Sequence, residues 1–184
     1  MKLNHKLSFS IIIPCYNTEN TVLETLASVK EQDYENWEAI VVNDGSPDNL
    51  EDLVLDYIKD DKRFKYYKKE NGGLASARNY GIDKSIGDYI LPLDSDNKVR
   101  PQFLEWAAEI LTKNNNINVL YGDAQRFGED SSYWKVGEYN KYKLLKWNYI
   151  DACAIVKKSV FDTLGLYDSN MPHQGLEDWD LWLR

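Results

Sequence analysis

Two aspartates one residue apart, Asp94 and Asp96, directly follow the apolar run Tyr89-Ile90-Leu91-Pro92-Leu93. At that spacing both carboxylates can reach one hard divalent cation or its bound waters, although an ordinary polar turn has the same pattern. A diphosphate beside these acids would meet repulsion of about 4 kcal/mol per close charge pair in a partly screened site. An anionic ligand and a bridging Mg²⁺ or Mn²⁺ therefore have to be considered together. Asp44, in Val41-Val42-Asn43-Asp44-Gly45-Ser46, could accept from a base imide or a ribose hydroxyl, or could cap the helix that follows. In Asn71-Gly72-Gly73-Leu74-Ala75-Ser76-Ala77-Arg78-Asn79-Tyr80-Gly81 a glycine turn opens a helix of small residues, and Arg78, one turn in, offers a planar donor fork to a nucleotide or phosphate. Three acids crowd Glu177-Asp178-Trp179-Asp180; on a helix, positions 177 and 178 point about 100° apart, so only one can face a ligand squarely. His173 lies on a Pro-containing loop just before them, as a metal or donor contact or as a solvated residue. Cys15 and Cys153 read as small buried apolar residues rather than nucleophiles.

Positioning such groups requires a scaffold, and the apolar pattern supplies one. Short β-branched runs alternate with segments of helical spacing, which predicts βαβ units and a mostly parallel sheet flanked by helices. Strands are expected at Phe9 to Ile13, Trp37 to Val42, Phe64 to Tyr67, Tyr89 to Leu93, Val119 to Tyr121 and Ala152 to Val156. Helices are expected around Val22, Leu26 and Val29, with Thr21 and Glu24 as a capping box, and around Leu50, Val54 and Ile58, with Pro47 in the first turn. Further helices fall at Ala75 to Ile86, around Phe103 to Leu111, at Ser159 to Leu164, and on Leu176, Trp179 and Leu183. No stop signal closes the last of these before Arg184, so residues 1–184 read as a core whose C-terminal part is missing. In an open parallel sheet ligands bind beyond the carboxyl ends of the strands, where Pro14-Cys15-Tyr16-Asn17, Asn43-Asp44 and Asp94-Ser95-Asp96 would converge.

The 184 residues carry 30 acidic and 22 basic side chains, a net charge of −8, which argues against general affinity for nucleic acid. Two cysteines and two histidines build neither a disulfide framework nor a four-ligand zinc site, so a reducing cytoplasm is expected. The run after Lys2 and Lys6 stops at Pro14, and no stretch approaches the ~20 apolar residues of a membrane span. No dinucleotide fingerprint or Walker loop follows the first strand.

Five motifs then occur together: Ser10-Ile11-Ile12-Ile13-Pro14-Cys15-Tyr16-Asn17, Val41 to Ser46, Gly73 to Asn79, Leu93-Asp94-Ser95-Asp96 and Glu177-Asp178-Trp179-Asp180. In order and spacing, from about Phe9 to Arg184, the chain resembles the family 2 glycosyltransferases. The resemblance implies a GT-A-type fold and inverting transfer from a nucleotide-diphospho-sugar, a UDP-sugar foremost, with Mn²⁺ or Mg²⁺ as cofactor. It implies that Pro14, Tyr16 and Asp44 hold the nucleoside, with Arg78 nearby and Glu19 a weaker candidate. Asp94 would face the ribose or donor sugar, Asp96 would be the direct metal ligand, and Asp178 would be the catalytic base, with Glu177 and Asp180 as rivals. Acceptors would be saccharides or lipid-linked saccharides. The segment 131–150, rich in aromatics and with four lysines against one glutamate, would mainly pack the core, or would serve an acceptor at a membrane surface. The competing readings are a silent nucleotide-sugar-binding scaffold and an Asp-based phosphohydrolase. The latter usually carries its acidic pair after the first strand. A sugar-nucleotide pyrophosphorylase would need a Gly- and Arg-rich N-terminal loop.

Overall fold

Seven consecutive buried residues, Phe9–Cys15, form strand β1 at the middle of the molecule, which explains why its apolar run is continuous rather than alternating. A computed structural model describes residues 6–172 and 175–184. His173 lies outside the described residues. Beside β1 run β2 (Trp37–Asn43) and β4 (Tyr89–Pro92), both parallel to it, with β3 (Phe64–Lys68) parallel to β2. The six-stranded sheet has the order β3-β2-β1-β4-β8-β5, in which β8 (Ile155–Lys157) runs antiparallel to both β4 and β5 (Val119–Leu120). The mostly parallel α/β sandwich expected from the alternation is therefore present. Its last two strands are shorter than expected, and β8 starts at Ile155 rather than Ala152.

Alternate residues of the strands divide the core between two faces. Ile11, Ile13 and Val41 pack with α1 (Val22–Lys30), α2 (Leu50–Ile58) and α4 (Phe103–Lys113). Ile12, Ile40 and Val42 pack on the other side with α3 (Leu74–Lys84), α6 (Lys158–Leu164) and α7 (Glu177–Leu183). Helix α3 comes close because Gly81 has no side chain: a Cβ there would sit 2.4 Å from the Ile12 Cγ2 atom. Two local expectations fail. Thr21 does not cap α1 through its side chain; its hydroxyl turns to the Thr18 carbonyl instead. Pro47 lies outside α2, because Ser46 and Asp48 hold the preceding loop in its own turn and the helix starts only at Leu50.

The aromatic stretch forms a third, smaller unit. A hairpin of β6 (Ala124–Gln125) and β7 (Tyr133–Trp134) and a short helix α5 (Lys141–Leu144) enclose Val136, Leu144, Tyr149 and Ile150, against which Trp179 and Trp182 of α7 pack. Only part of the segment is core: Tyr133, Tyr139, Tyr142, Leu145 and Trp147 are exposed. No helix among the described residues is long and apolar enough to cross a membrane.

Candidate active site

Three parallel strands end on the same edge, and their trailing loops are tied together there. The Asp44 N–H donates to the Cys15 carbonyl at 2.9 Å, joining the ends of β1 and β2, and the Leu93 N–H donates to the Ile12 carbonyl at 2.8 Å, joining β4 to β1. Between them opens a cleft of about 400 Å³ whose walls include Pro14, Tyr16, Asp44, Gly73, Asp94 and Asp96. Tyr16 offers about half of its surface to solvent at this cleft.

Asp44 does not cap the helix after it. Its carboxylate accepts from the Gly73 N–H at 2.8 Å, the Gly72 N–H at 3.1 Å and the Lys69 ammonium at 2.6 Å. The loop after β2 is thereby fixed to the glycine turn that starts α3. That approach needs glycine at position 45, where φ is +69° and a Cβ would lie 2.9 Å from the Asn71 nitrogen.

Arg78 is 2% exposed, and its fork is already engaged: one terminal nitrogen donates to Asp94 Oδ1 at 2.6 Å and the other to Glu177 Oε1 at 2.7 Å. The guanidinium is thus no solvated surface group but a buried bridge between two acidic motifs, since α3 faces the sheet and carries it inward. The Arg78 Nε has no partner. The guanidinium stands 5.8 Å from the centre of the Tyr167 ring, whose buried hydroxyl is also without a partner. The charges of Arg78, Asp178, Glu177 and Asp94 all act on that hydroxyl, and burial is the main cause that raises its pKa.

The three clustered acids take different roles. Glu177 is held by Arg78 and by the Gly175 N–H at 2.9 Å, and Asp180 pairs with Arg184 at 3.0 Å. Asp178 is 6% exposed and bonds to no cation among the described residues; its Oδ2 accepts the Asn148 side-chain amide at 2.8 Å. Burial pushes its carboxyl above the ordinary aspartate value, against the opposing pull of the Asn148 amide and the Trp179 N–H, and the nearby Glu177 charge adds to the rise. Asn148 is thus a site residue that the motifs do not reveal, since it comes from the irregular aromatic segment. Tyr167 is another, buried beneath Arg78.

Glu19 stays outside the cleft walls. It accepts from the Asn49 N–H at 2.9 Å and ties α1's approach loop to that of α2. The cysteines are inert: burial pushes the Cys15 thiol up to about 12 and raises Cys153 strongly. Asp96 is exposed and makes no hydrogen bond or ion pair with the other described residues, and among these Asp94 keeps one carboxylate oxygen unengaged. Among the described residues no three His, Cys, Asp or Glu side chains gather into a preformed metal cage.

The family model described as Glycosyl transferase family 2 matches residues 10–165. The chain belongs to glycosyltransferase family 2. An uncharacterized glycosyltransferase of Rickettsia bellii is 37% identical over 180 residues, covering 95% of this chain and 26% of the relative. The Escherichia coli enzyme WfgD, a UDP-Glc:alpha-D-GlcNAc-diphosphoundecaprenol beta-1,3-glucosyltransferase, is 36% identical over 178 residues, covering 95% of this chain and 68% of WfgD. This family 2 chain spans between 26% and 57% of the length of its Rickettsia relatives. Among solved structures, S. aureus TarS 1-349 in complex with UDP superposes with a TM-score of 0.80 at 23% identity, over 95% of this chain and 54% of that one. The mannosyltransferase PcManGT from Pyrobaculum calidifontis, in complex with GDP-Man and Mn²⁺, gives 0.74 at 18% identity, over 97% and 51%. These likenesses show the GT-A-type α/β fold that the five motifs imply.

Proposed function

We propose that this chain is the donor-binding and catalytic core of an inverting glycosyltransferase that moves a sugar from a UDP-sugar to a hydroxyl of a lipid-linked saccharide. The observation that carries this reading is the Arg78 bridge, which holds Asp94 in the cleft and Glu177 beside Asp178 in one connected unit. The names of WfgD and of the TarS complexes with UDP and UDP-GlcNAc support a UDP-sugar donor, and that of WfgD supports a diphosphate-linked lipid acceptor.

In this reading the nucleoside lies in the cleft against Pro14 and Tyr16, with Asp44 toward the base. Asp94 and Asp96 fit a hard divalent cation, because they supply carboxylate oxygens not saturated by protein groups and leave positions for waters and diphosphate oxygens. When bound, Mg²⁺ or Mn²⁺ supplies charge compensation for the departing nucleoside diphosphate. The acceptor oxygen forms its bond to the anomeric carbon from the face opposite the diphosphate, whose bond to that carbon breaks, so the configuration inverts. Asp178 takes the acceptor's proton. Its burial makes it a stronger base than an exposed aspartate, and the Asn148 amide holds its Oδ2. Glu177 and Asp180 are already paired with arginines, which leaves them weaker rivals for this role.

The Asp178→Asn variant separates binding from chemistry. Transfer to acceptor is expected to fall by about 10²–10⁴, the usual contribution of a general base, while calorimetric UDP affinity stays as in the parent. Unchanged turnover would remove Asp178 from the base role.

A further inference from the structure

Segment 139–149 has two faces. Inward, Leu144 and Tyr149 are buried, the Leu144 carbonyl accepts the Trp179 indole N–H at 2.7 Å, and Asn148 donates to Asp178. This segment therefore supports the helix that carries the proposed base. Outward it presents Tyr139 (63% exposed), Tyr142 (68%), Leu145 (65%) and Trp147 (51%), with Lys141 and Lys146 exposed among them.

The turn that displays these side chains is well defined. The Asn140 side chain accepts from the N–H groups of Tyr142 and Lys143, capping α5 at its start, and the chain stays helical enough that the Lys146 and Trp147 N–H groups return to the Lys143 carbonyl. Tyr142, Leu145 and Lys146 then share one face by the three- and four-residue spacing of a helix. Residues 139–147 carry Lys141, Lys143 and Lys146 and no acidic residue. Seven lysines elsewhere, Lys59, Lys65, Lys68, Lys69, Lys84, Lys98 and Lys113, each pair with a carboxylate, while Lys6 and Lys30 lie over tyrosine rings. Lys135, Lys141, Lys143 and Lys146 make no ion pair among the described residues; Lys141 and Lys143 lie instead over the rings of Tyr142 and Tyr149. A chain of net charge −8 thus carries a local positive zone with apolar tips projecting from it.

We propose that the outer face of residues 139–147 docks on an anionic lipid bilayer. The unpaired lysines match anionic headgroups, and tyrosine, tryptophan and leucine tips suit the boundary between headgroups and acyl chains. A sugar would use the aromatic rings but would leave Leu145 and the lysines without a role. The docking surface rests on the proposed lipid-linked acceptor, and it explains how such an acceptor meets the base: the same short segment touches the membrane on one side and Asp178 on the other.

The test is co-sedimentation of the chain with phosphatidylcholine vesicles that do or do not contain phosphatidylglycerol, at low and high salt. Binding is expected only with phosphatidylglycerol, and it should weaken steeply as salt rises. Charge removal in Lys141→Gln/Lys143→Gln/Lys146→Gln should lower the partition coefficient by on the order of a hundredfold. Tyr142→Ser/Leu145→Ser should lower it too, with UDP affinity unchanged in both variants. No binding of the parent chain to anionic vesicles overturns the proposal, as does binding indifferent to salt and to phosphatidylglycerol, and neither result depends on a variant folding. If UDP still binds in that case, the donor reading survives while the docking surface fails.

Discussion

Glu177, Asp178 and Asp180 lie within one turn of helix, yet their surroundings separate them by function. Arginines hold the outer two, while Asp178 is held by neutral donors, the Asn148 amide and the Trp179 N–H. An aspartate whose folded pKa is raised binds protons more tightly in the native state than in the unfolded chain, so between the unfolded and folded values stability falls as pH rises. Above that window the ionised Asp178 costs stability. With Asp178 as the proposed base, which works only when ionised, the same shift would set the acid limb: activity should disappear as pH falls through a value above the ordinary aspartate range. Asn148→Leu removes the amide that favours the charged form. The acid limb of kcat/KM in this variant should therefore move to higher pH, with kcat reduced and UDP affinity preserved. An unmoved limb would show that Asn148 serves structure alone. The singling out of Asp178 was legible from its motif, but the Asn148 amide was not, since that residue sits in an irregular stretch with nothing to mark its direction, and neither was the bridge from Arg78 to Glu177 on a distant helix.

At the scale of elements, what could be read were the parts governed by local pattern. The continuous apolar runs of β1, β2 and β4 marked buried parallel strands, and the polar residues after them had to converge because parallel strands end on one edge. What could not be read were features decided by tertiary packing: the reversed direction of β8, the late start of α2 after a self-bonded loop, and the hairpin inside the aromatic stretch. Helix α3 falls between these cases. Its small residues signalled close packing, and the structure shows the cause in Gly81 pressed on Ile12. Because α3 carries Arg78 three residues before that contact, helix position and site geometry are coupled. Gly81→Val should force α3 off the sheet, costing about 1–3 kcal/mol in urea denaturation, and should weaken UDP binding as the Arg78 bridge and the Asp44–Gly73 contact shift. A variant that lost no stability would show that the sheet accommodates the added methyls and that α3 is free to move off Ile12.

For the molecule as a whole, the acidic balance raises a problem that a nucleotide-diphospho-sugar makes acute. The cleft contains Asp44, Asp94 and Asp96, and the nearest cations are already committed: Lys69 to Asp44, and Arg78 to Asp94 and Glu177. A diphosphate entering that cleft gains no free arginine fork, and each close approach to a carboxylate costs about 4 kcal/mol at an effective dielectric near 20. The lysine-rich face that could attract anions lies on the segment 135–146, away from the cleft walls. In the proposed reading a divalent cation at Asp94 and Asp96 would offset that repulsion and let a diphosphate bind tightly. Calorimetry with UDP in Mn²⁺ and in excess chelator should show affinity at least about tenfold weaker without the ion, a difference of about 1.4 kcal/mol. Asp96→Asn should bring the Mn²⁺ titration close to the chelated one, since it removes the carboxylate that no protein group engages. Equal affinity in the two buffers would mean that the cleft binds UDP through its nucleoside alone, and the acidic pair would then have to act on the sugar rather than on a metal.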